Sequence, residues 1–461
     1  MKLFVVRGKI LTSRLEVLDL KLFFCILVLG ISYSPVCISS GVSGVELANN
    51  RVYNLAEDLG LNRVTSDAEE SSLKIKVIES IFSIETGTES LRKLYLFDNK
   101  RFDELLTFAE SNKQIKALRD KIRQYEQLSN YQWPQLEASV FSLGQRATDI
   151  AKLRWVLVKL DDLEFKDISA YREAIFDPSI TRSLKRFQKR HGLIQSGELN
   201  KETITLLNTE PAFIVSKLQL SLKDKLSKVN YQNSSYIEVN IPEFKLRIKG
   251  DESSTLEFPV IVGSIKNKTP LLHTYVSKIT INPTWTPPRS IVYNELLAEL
   301  KKSPKSLENQ KFVLVKKGNT NEVKSLKGMD ASRLKQELKV YQLVQSPGFR
   351  NALGKYRFTI PNSELIFMHD TPDKQAFKKR NRAISHGCIR LSQPELLAKY
   401  LIDRENSIES IRFLSARKGV NTVDIKLRNP IPIIITNHNV WVDKDNVLQV
   451  RPSVYNREVT E

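Results

Sequence analysis

Residues 385–390 of this chain read Ser385-His386-Gly387-Cys388-Ile389-Arg390. Gly387 lets the backbone turn just before Cys388, because a glycine has no side chain to restrict it. The stretch Ser392-Gln393-Pro394-Glu395 that follows has the spacing of a helix capping box and precedes a leucine-rich run. We therefore predict that Cys388 lies on a strand or turn that leads into a helix, which holds its thiol in a fixed position.

The residues around Cys388 are those that acyl transfer by a thiol requires. Such a reaction needs a thiolate, a base that generates it and N–H donors for the developing oxyanion. His386 lies two residues before the thiol, and His369 ends the apolar run 365–368. Residues two apart in a strand share a face, and a histidine at the end of one strand can reach another. Spacing alone leaves both histidines open as the base.

The beginning of the chain is typical of a secretory signal. Basic residues precede the apolar run 22–31, and small residues follow it. We predict a signal peptide over 1–41 and export, with an uncleaved membrane anchor as the alternative. Cleavage removes Cys25 and Cys37 and leaves Cys388 as the one thiol in an oxidising compartment. A lone cysteine beside histidines indicates a nucleophile rather than half of a disulfide.

The chain is too long for a single compact domain, and its composition allows several buried cores. It has 461 residues, of which 41% are hydrophobic. Apolar residues recur at three- and four-residue spacing over 45–140, which predicts a helical scaffold domain. Strand-like runs bounded by Pro, Gly, Asp and Ser dominate 235–435. The predicted class is therefore α+β multidomain.

A small module of three helices is predicted over 142–208. Asp177-Pro178 supplies a helix N-cap followed by proline at the first helical position, and Asn200 can cap a third helix. The lysine-rich segment 290–345 interrupts the strand region, and we predict that it is a helical insertion acting as a lid. Residues 436–461 are predicted to form terminal strands and a tail.

Two of these regions resemble known families. His369, fifteen intervening residues and the 385–390 motif resemble the L,D-transpeptidase catalytic domain, the YkuD-like fold. The string Phe187-Gln-Lys-Arg-His-Gly-Leu193 with Gly197 resembles the small peptidoglycan-binding domain. Further motifs are similar to the larger, scaffold-bearing branch of the transpeptidase family: Thr269-Pro270, Asn282-Pro283-Thr284-Trp285, Pro288-Arg289-Ser290-Ile291, Gln345-Ser346-Pro347-Gly348 and Asn351-Ala352-Leu353-Gly354.

The resemblance implies a role for each site residue. Cys388 would be the nucleophile and His369 its general base. Ser385 and His386 would shape the site, while Gly387 and Cys388 would offer N–H groups to the oxyanion. The residues implied in substrate binding are Arg390, Trp285, Asn351, Gly354 and Phe367.

The implied reaction is 3→3 cross-linking of peptidoglycan peptide stems through a thioester, in cell wall biogenesis, without a cofactor or metal. Alternatives are an L,D-carboxypeptidase, attachment of a protein to peptidoglycan, and a non-catalytic peptidoglycan-binding envelope protein. Zinc is disfavoured because the chain has neither Cys-x-x-Cys nor His-Glu-x-x-His.

The formal net charge of +19 needs an anionic partner. No zinc-finger spacing, RNP motif or basic heptad array is present, so nucleic acid is not that partner. The cations are spread over the whole chain, which favours an anionic cell envelope, and the predicted location is the periplasm.

Overall fold

A computed structural model describes residues 44–61, 70–82, 92, 98–137, 141–164, 174–231, 234–249 and 256–455. The predicted signal peptide over 1–41 lies outside these residues. Within the described ranges, no helix is both long enough and apolar enough to cross a membrane.

The part of the chain before residue 230 is helical. Its helices are α1 (Gly44–Asp58), α2 (Glu70–Phe82), α3 (Asn99–Ser111), α4 (Lys113–Ser129), α5 (Thr148–Lys159), α6 (Pro178–Arg190), α7 (Lys201–Leu207) and α8 (Pro211–Ser227). The predicted caps are confirmed: the Asp177 carboxylate accepts from the N–H groups of Ser179 and Ile180, and Asn200 accepts from Thr203 N–H. Each cap satisfies helix N–H groups that have no acceptor within the helix.

Residues 52–229 share one hydrophobic core, so the predicted scaffold and module pack together. The core also includes a hairpin from the far end of the chain, formed by β13 (Val440–Val442) and β14 (Leu448–Val450). Ser221 of α8 donates a hydrogen bond to Val440 O at 2.6 Å. The predicted terminal strands therefore form this hairpin, which packs into the helical core.

The strand region forms one mixed sheet around its own core. Its strands are β1 (Tyr236–Asn240), β2 (Lys245–Lys249), β3 (Glu257–Gly263), β4 (Leu272–Ile281), β8 (Tyr356–Thr359), β9 (Met368–His369), β10 (Ala383–Ser385), β11 (Ile389–Leu391) and β12 (Val423–Thr436). The order is β10-β3-β11-β9-β8-β4-β12-β1-β2, and β2 also pairs with β3. This last pairing closes the strands from β3 to β2 into a barrel, and β10 pairs with β3 at its margin.

Alternating side chains fill the inside of this barrel. Val239, Val260, Ile279, Phe358 and Met368 are fully buried there. Two helices pack against the same core: α12 (Pro394–Ile402) and α13 (Ser407–Lys418). Because side chains alternate along a strand, the residues between these apolar positions point to the opposite face of the sheet.

The predicted capping box before α12 is wrong. Gln393 occupies the N-cap position and makes no side-chain cap, while Ser392 Oγ is buried without a partner among the described residues. Pro394 opens the helix instead, because its fixed φ suits the first helical position.

The insertion is not only helical, contrary to the sequence prediction. A helical stretch that we call α9 is made of Arg289–Ile291, a π-helical turn Val292–Leu296 and Leu297–Lys302, and it is followed by α10 (Ser306–Asn309). The elements that follow are β5 (Phe312–Lys316), β6 (Asn319–Ser325), α11 (Ala331–Glu337) and β7 (Tyr341–Gln345). The three strands form an antiparallel sheet of order β6-β5-β7.

Lysines account for the wrong prediction. Lys316 lies on β5 and Lys317 opens a turn, yet their place in a lysine-rich run made the segment look helical. The insertion has its own core around Leu314, Leu334 and Leu343. Its role as a lid stays a prediction.

A buried ion cluster joins α8 to the sheet. Lys228 Nζ lies 2.6 Å from Asp224 Oδ2 and 3.0 Å from Glu238 Oε1 of β1, and its side chain is 4% exposed. Burial by itself raises a carboxyl pKa, but the Lys228 ammonium holds the pKa of both Asp224 and Glu238 below the ordinary value. These ion pairs link the helical core to the barrel.

Replacing Lys228→Ala leaves Asp224 and Glu238 buried without their shared cation. We expect the free energy of unfolding to fall by about 3–5 kcal/mol, the usual cost of removing one partner from a buried ion pair. Urea unfolding followed by circular dichroism measures the loss. Lys444→Ala is the matched control, because Lys444 pairs with Asp445 at the exposed surface, and its midpoint is expected to equal that of the wild type. Equal midpoints for both variants would contradict the structural importance of the cluster.

Candidate functional site

The loop that carries Cys388 is shaped by a glycine in a left-handed conformation. After β10 the chain bends over residues 386–388 and enters β11. Gly387 has φ +109°, and a Cβ atom built there would lie 2.9 Å from Ile366 Cδ1. Both the backbone angle and the close approach therefore require glycine immediately before the cysteine.

Two buried hydroxyl groups hold this loop. Ser385 Oγ donates to Cys388 O at 2.6 Å and accepts from Gly387 N–H at 3.1 Å. Thr269 Oγ1 donates to Gly387 O at 2.7 Å and accepts from Gly263 N–H at 2.8 Å. Ser385 thus holds the loop from within, and Thr269 fastens it to the end of β3. The role of Ser385 in shaping the site stays a prediction.

Strand pairing brings the loop beside His369. The strands β9 and β11 run parallel with Arg390 opposite His369, and Ile389 N–H donates to Phe367 O at 3.1 Å. Cys388 lies one residue before β11, at the level of Phe367, whose backbone makes a hydrogen bond with the thiol. The pairing thus holds the Cys388 loop and His369 on neighbouring strands, and His369 as the base stays a prediction.

The hydrogen bond of His369 decides which ring nitrogen is free. His369 Nδ1 lies 2.5 Å from Asp370 O. A carbonyl oxygen can only accept, so Nδ1 carries the proton and Nε2 keeps the lone pair that a base needs.

Burial keeps both groups of the pair uncharged. Burial, together with the guanidinium groups of Arg390 and Arg357, lowers the pKa of His369 to about 3. Burial also raises the pKa of the Cys388 thiol, against a backbone hydrogen bond with Phe367 and the charge of Arg390. At neutral pH burial therefore favours a neutral thiol at Cys388 and a neutral imidazole at His369.

One N–H group of the loop is free for an oxyanion. The Gly387 N–H is already donated to Ser385 Oγ. The Cys388 N–H has no acceptor among the described residues. Of the two N–H donors that the resemblance implies, the Cys388 N–H is therefore the one without an acceptor among the described residues. The Gly387 N–H would reach an oxyanion only after its hydrogen bond to Ser385 Oγ is broken.

The side chain of His386 turns to the insertion. Its Nε2 lies 2.6 Å from Glu295 Oε1, and both side chains are partly exposed. The alternation that would have placed His386 beside the thiol does not apply, because residues 386–388 form bends rather than a strand. Glu295, 91 positions earlier, carries no sequence signal that connects it to the motif.

Gly354 has a packing role that the sequence did not reveal. It has φ +61°, and a Cβ atom there would lie 2.4 Å from the Asp370 side chain. Asp370 in turn accepts hydrogen bonds from the N–H groups of Lys355 and Thr371 and from Lys374 Nζ. Gly354 therefore makes room for Asp370, whose carbonyl oxygen accepts a hydrogen bond from His369 Nδ1–H. The role of Gly354 in substrate binding stays a prediction.

Asn351 and Trp285 also contact protein groups. Asn351 is 1% exposed, donates to Ser346 O at 3.0 Å and accepts from Leu353 N–H at 2.8 Å. Trp285 exchanges backbone hydrogen bonds with Gln345 and so closes the base of the insertion. Their roles in substrate binding stay predictions.

Phe367 and Arg390 lie next to His369. The Phe367 ring is 5.8 Å from the His369 ring in an edge-on arrangement. Arg357, which sequence reasoning missed, lies opposite His369 on its other side. Its position in a short alternating strand, Tyr356-Arg-Phe-Thr359, was the one signal that could have singled it out.

The described residues contain no group of three or more His, Cys, Asp or Glu side chains placed to hold a metal ion.

Comparison with protein families agrees with the geometry. Residues 234–408 match the family model described as "L,D-transpeptidase catalytic domain". The chain contains an L,D-transpeptidase catalytic domain. Residues 148–207 match a second model, described as "Putative peptidoglycan binding domain". The two resemblances predicted from the sequence are confirmed as domains, and so is a multidomain chain with a helical region and a mostly-β catalytic domain.

Among curated proteins, the chain is 29% identical over 273 residues to a "Putative L,D-transpeptidase" of Haemophilus influenzae. The match covers 57% of this chain and 53% of that protein, so it spans about half the length of the relative. Among solved structures, a fused Zn-dependent amidase/peptidase/peptidoglycan-binding domain-containing protein from Clostridium acetobutylicum aligns at 16% identity, covering 65% of this chain and all of that chain. Its TM-score is 0.18.

The neutral pair predicts how Cys388 reacts with iodoacetamide. Because burial raises the thiol pKa, the thiolate fraction at pH 7 is small, and the alkylation rate should rise about tenfold per pH unit from pH 7 to 9. Peptide mapping by mass spectrometry measures the rate at Cys388. A Cys388→Ala/Ser142→Cys variant supplies an exposed reference thiol, which should react faster at pH 7. A plateau for Cys388 that begins below pH 7 would instead show a preformed thiolate–imidazolium pair.

Proposed function

We propose that this protein is an exported peptidoglycan L,D-transpeptidase that forms 3→3 cross-links through a thioester on Cys388. The observation that carries the proposal is the pairing of β9 with β11 in the matched domain, which holds the buried, neutral His369 and the loop of Cys388 on neighbouring strands. The peptidoglycan-binding domain supports the choice of polymer. The basic surface and the predicted signal support a place at an anionic envelope in the periplasm.

The proposed first step transfers an acyl group to sulfur. Cys388 Sγ loses its proton to His369 Nε2 and attacks the carbonyl carbon of the third stem residue. The oxyanion is held by Cys388 N–H. The C–N bond to the fourth residue then breaks, and His369 returns the proton to the leaving nitrogen. The terminal amino acid departs with a neutral amine, and the thioester remains on Cys388.

The second step consumes the thioester. The side-chain amine of another stem's third residue attacks the carbonyl carbon, His369 takes a proton from that amine, and the C–S bond breaks. The proton returns to Cys388 Sγ. Attack by water instead gives a carboxypeptidase, and attack by an amine of a protein gives attachment of that protein.

A contact supports cooperation between the binding module and the catalytic loop. Arg380, on the loop between base and nucleophile, pairs with Glu202 of α7 at 3.0 Å. The module that resembles a polymer-binding domain is thereby adjacent to the loop that precedes Cys388.

Intact-protein mass spectrometry with a tetrapeptide donor tests the acyl-enzyme. We expect the mass to rise by that of the tripeptide acyl group, with one terminal amino acid released for each adduct. Peptide mapping should place the adduct on Cys388, and Cys388→Ala should show none. An acceptor stem should convert the adduct to a 3→3 dimer. A Cys388→Ala protein that still cross-links stems would contradict the proposal. A wild type that binds peptidoglycan but never forms an adduct would favour the non-catalytic alternative.

The same assay separates the two histidines. His369→Gln should slow acylation at pH 7 by about 10²–10⁴-fold, the usual contribution of a general base, with partial recovery at higher pH as the thiolate forms unaided. His386→Gln should cost clearly less, because His386 pairs with Glu295. A larger loss for His386→Gln than for His369→Gln would reverse the assignment.

A further inference from the structure

Two arginines flank His369 on the face of the sheet opposite the barrel core. In the strand register Arg390 of β11 lies opposite His369 on one side, and Arg357 of β8 lies opposite it on the other. Paired residues in neighbouring strands share a face. The three side chains therefore form a row, with the imidazole between two guanidinium groups.

Neither guanidinium has a carboxylate hydrogen-bond partner among the described residues. Arg357 donates to the neutral Thr280 Oγ1 at 3.2 Å, and Arg357 Nε is buried without an acceptor. Arg390 Nε is buried without an acceptor as well. Asp424 and Asp373 act on Arg357 and Arg390 through their charge but accept no hydrogen bond from them. The two buried Nε–H donors therefore stay unsatisfied, and an anion that accepts from both would satisfy them.

The position of His369 indicates which anion fits. In the proposed reaction, His369 gives its proton to the amine of the leaving residue, so that residue must lie beside the imidazole. In an α-amino acid the carboxylate carbon is attached to the same carbon as the amine. A terminal leaving residue would therefore hold its carboxylate within reach of the groups that flank His369.

We propose that Arg357, together with Arg390, binds the terminal carboxylate of the donor stem. The inference rests on the proposed function and adds Arg357 as a specificity residue. Guanidinium groups suit this task because each presents planar N–H donors to a carboxylate. Thr280 and the Phe367 ring hold Arg357 in place: Thr280 Oγ1 donates onward to Asp424 at 2.6 Å, and Arg357 Cζ lies 5.8 Å from the ring centroid.

The proposal restricts the donor. The scissile bond must be the last peptide bond of the stem, because a longer stem or a capped terminus has no carboxylate at this position. Tetrapeptide stems satisfy the condition when the bond after the third residue is cleaved.

Two donors that differ at one group test the proposal. One is a tetrapeptide with a free terminal carboxylate, and the other is the same peptide as its C-terminal carboxamide. The rate of thioester formation on Cys388 gives kcat/KM for each. The wild type should prefer the free acid by about 10- to 100-fold, the range that charge-assisted hydrogen bonds supply. Arg357→Gln should reduce that preference at least about fivefold, and Arg357→Lys should lie between the two.

Lys278→Gln is the matched control. Lys278 is a cation on β4, two residues from Thr280 on the same face, and it pairs with Asp424 at 2.7 Å. Its removal should keep the wild-type preference, and circular dichroism melting curves verify that every variant is folded. An Arg357→Gln protein that is slower with both donors by the same factor, or a wild type without preference, overturns the role of Arg357. A wild type that forms no thioester with either donor overturns the proposed function itself.

Discussion

The pairing of two very short strands is the constraint on which the site depends. β9 has two residues and β11 has three, and neither is long enough to be stable without neighbours. They stay paired because β8 and β3 flank them and because the sheet closes through β2. Met368, Ile389 and Leu391 anchor both strands in the barrel core. The opposite face of the same strands is then left for His369 and Arg390, and the loop before β11 delivers the thiol.

Burial gives this site its electrostatic character. The imidazole loses its tendency to take up a proton, and the thiol loses its tendency to release one, because both lie in a medium that solvates charge poorly. The nearby guanidinium groups disfavour a second positive charge on the imidazole. A neutral pair of this kind is protected from premature thiolate chemistry. In the proposed reaction, a bound carboxylate would balance the charge of Arg357 and Arg390 on either side of this imidazole.

Local signals in the sequence predicted much of the fold. The caps at Asp177 and Asn200 start helices where expected, because a cap acts over three residues. The strand runs and the 385–390 motif led to the catalytic domain. The helical insertion was mispredicted at β5 to β7, since lysine-rich strands on an exposed sheet lack a strong alternating pattern. Gly354 and His386 were assigned to the site by similarity, but Asp370 and Glu295 explain their positions.

The sequence by itself indicated the loop around Cys388, because Ser385 and Gly387 hold it through contacts only a few residues long, although Thr269 holds it as well. It also left His369 and His386 as the two candidate bases. Only the tertiary structure shows that the register of β9 sets His369 opposite Arg390, whereas the His386 side chain pairs with Glu295. It also placed Arg357 beside His369 and Asp370 behind Gly354. Register is a property of strands distant along the chain, and it depends on which side chains the barrel can bury. No spacing within one segment reveals it.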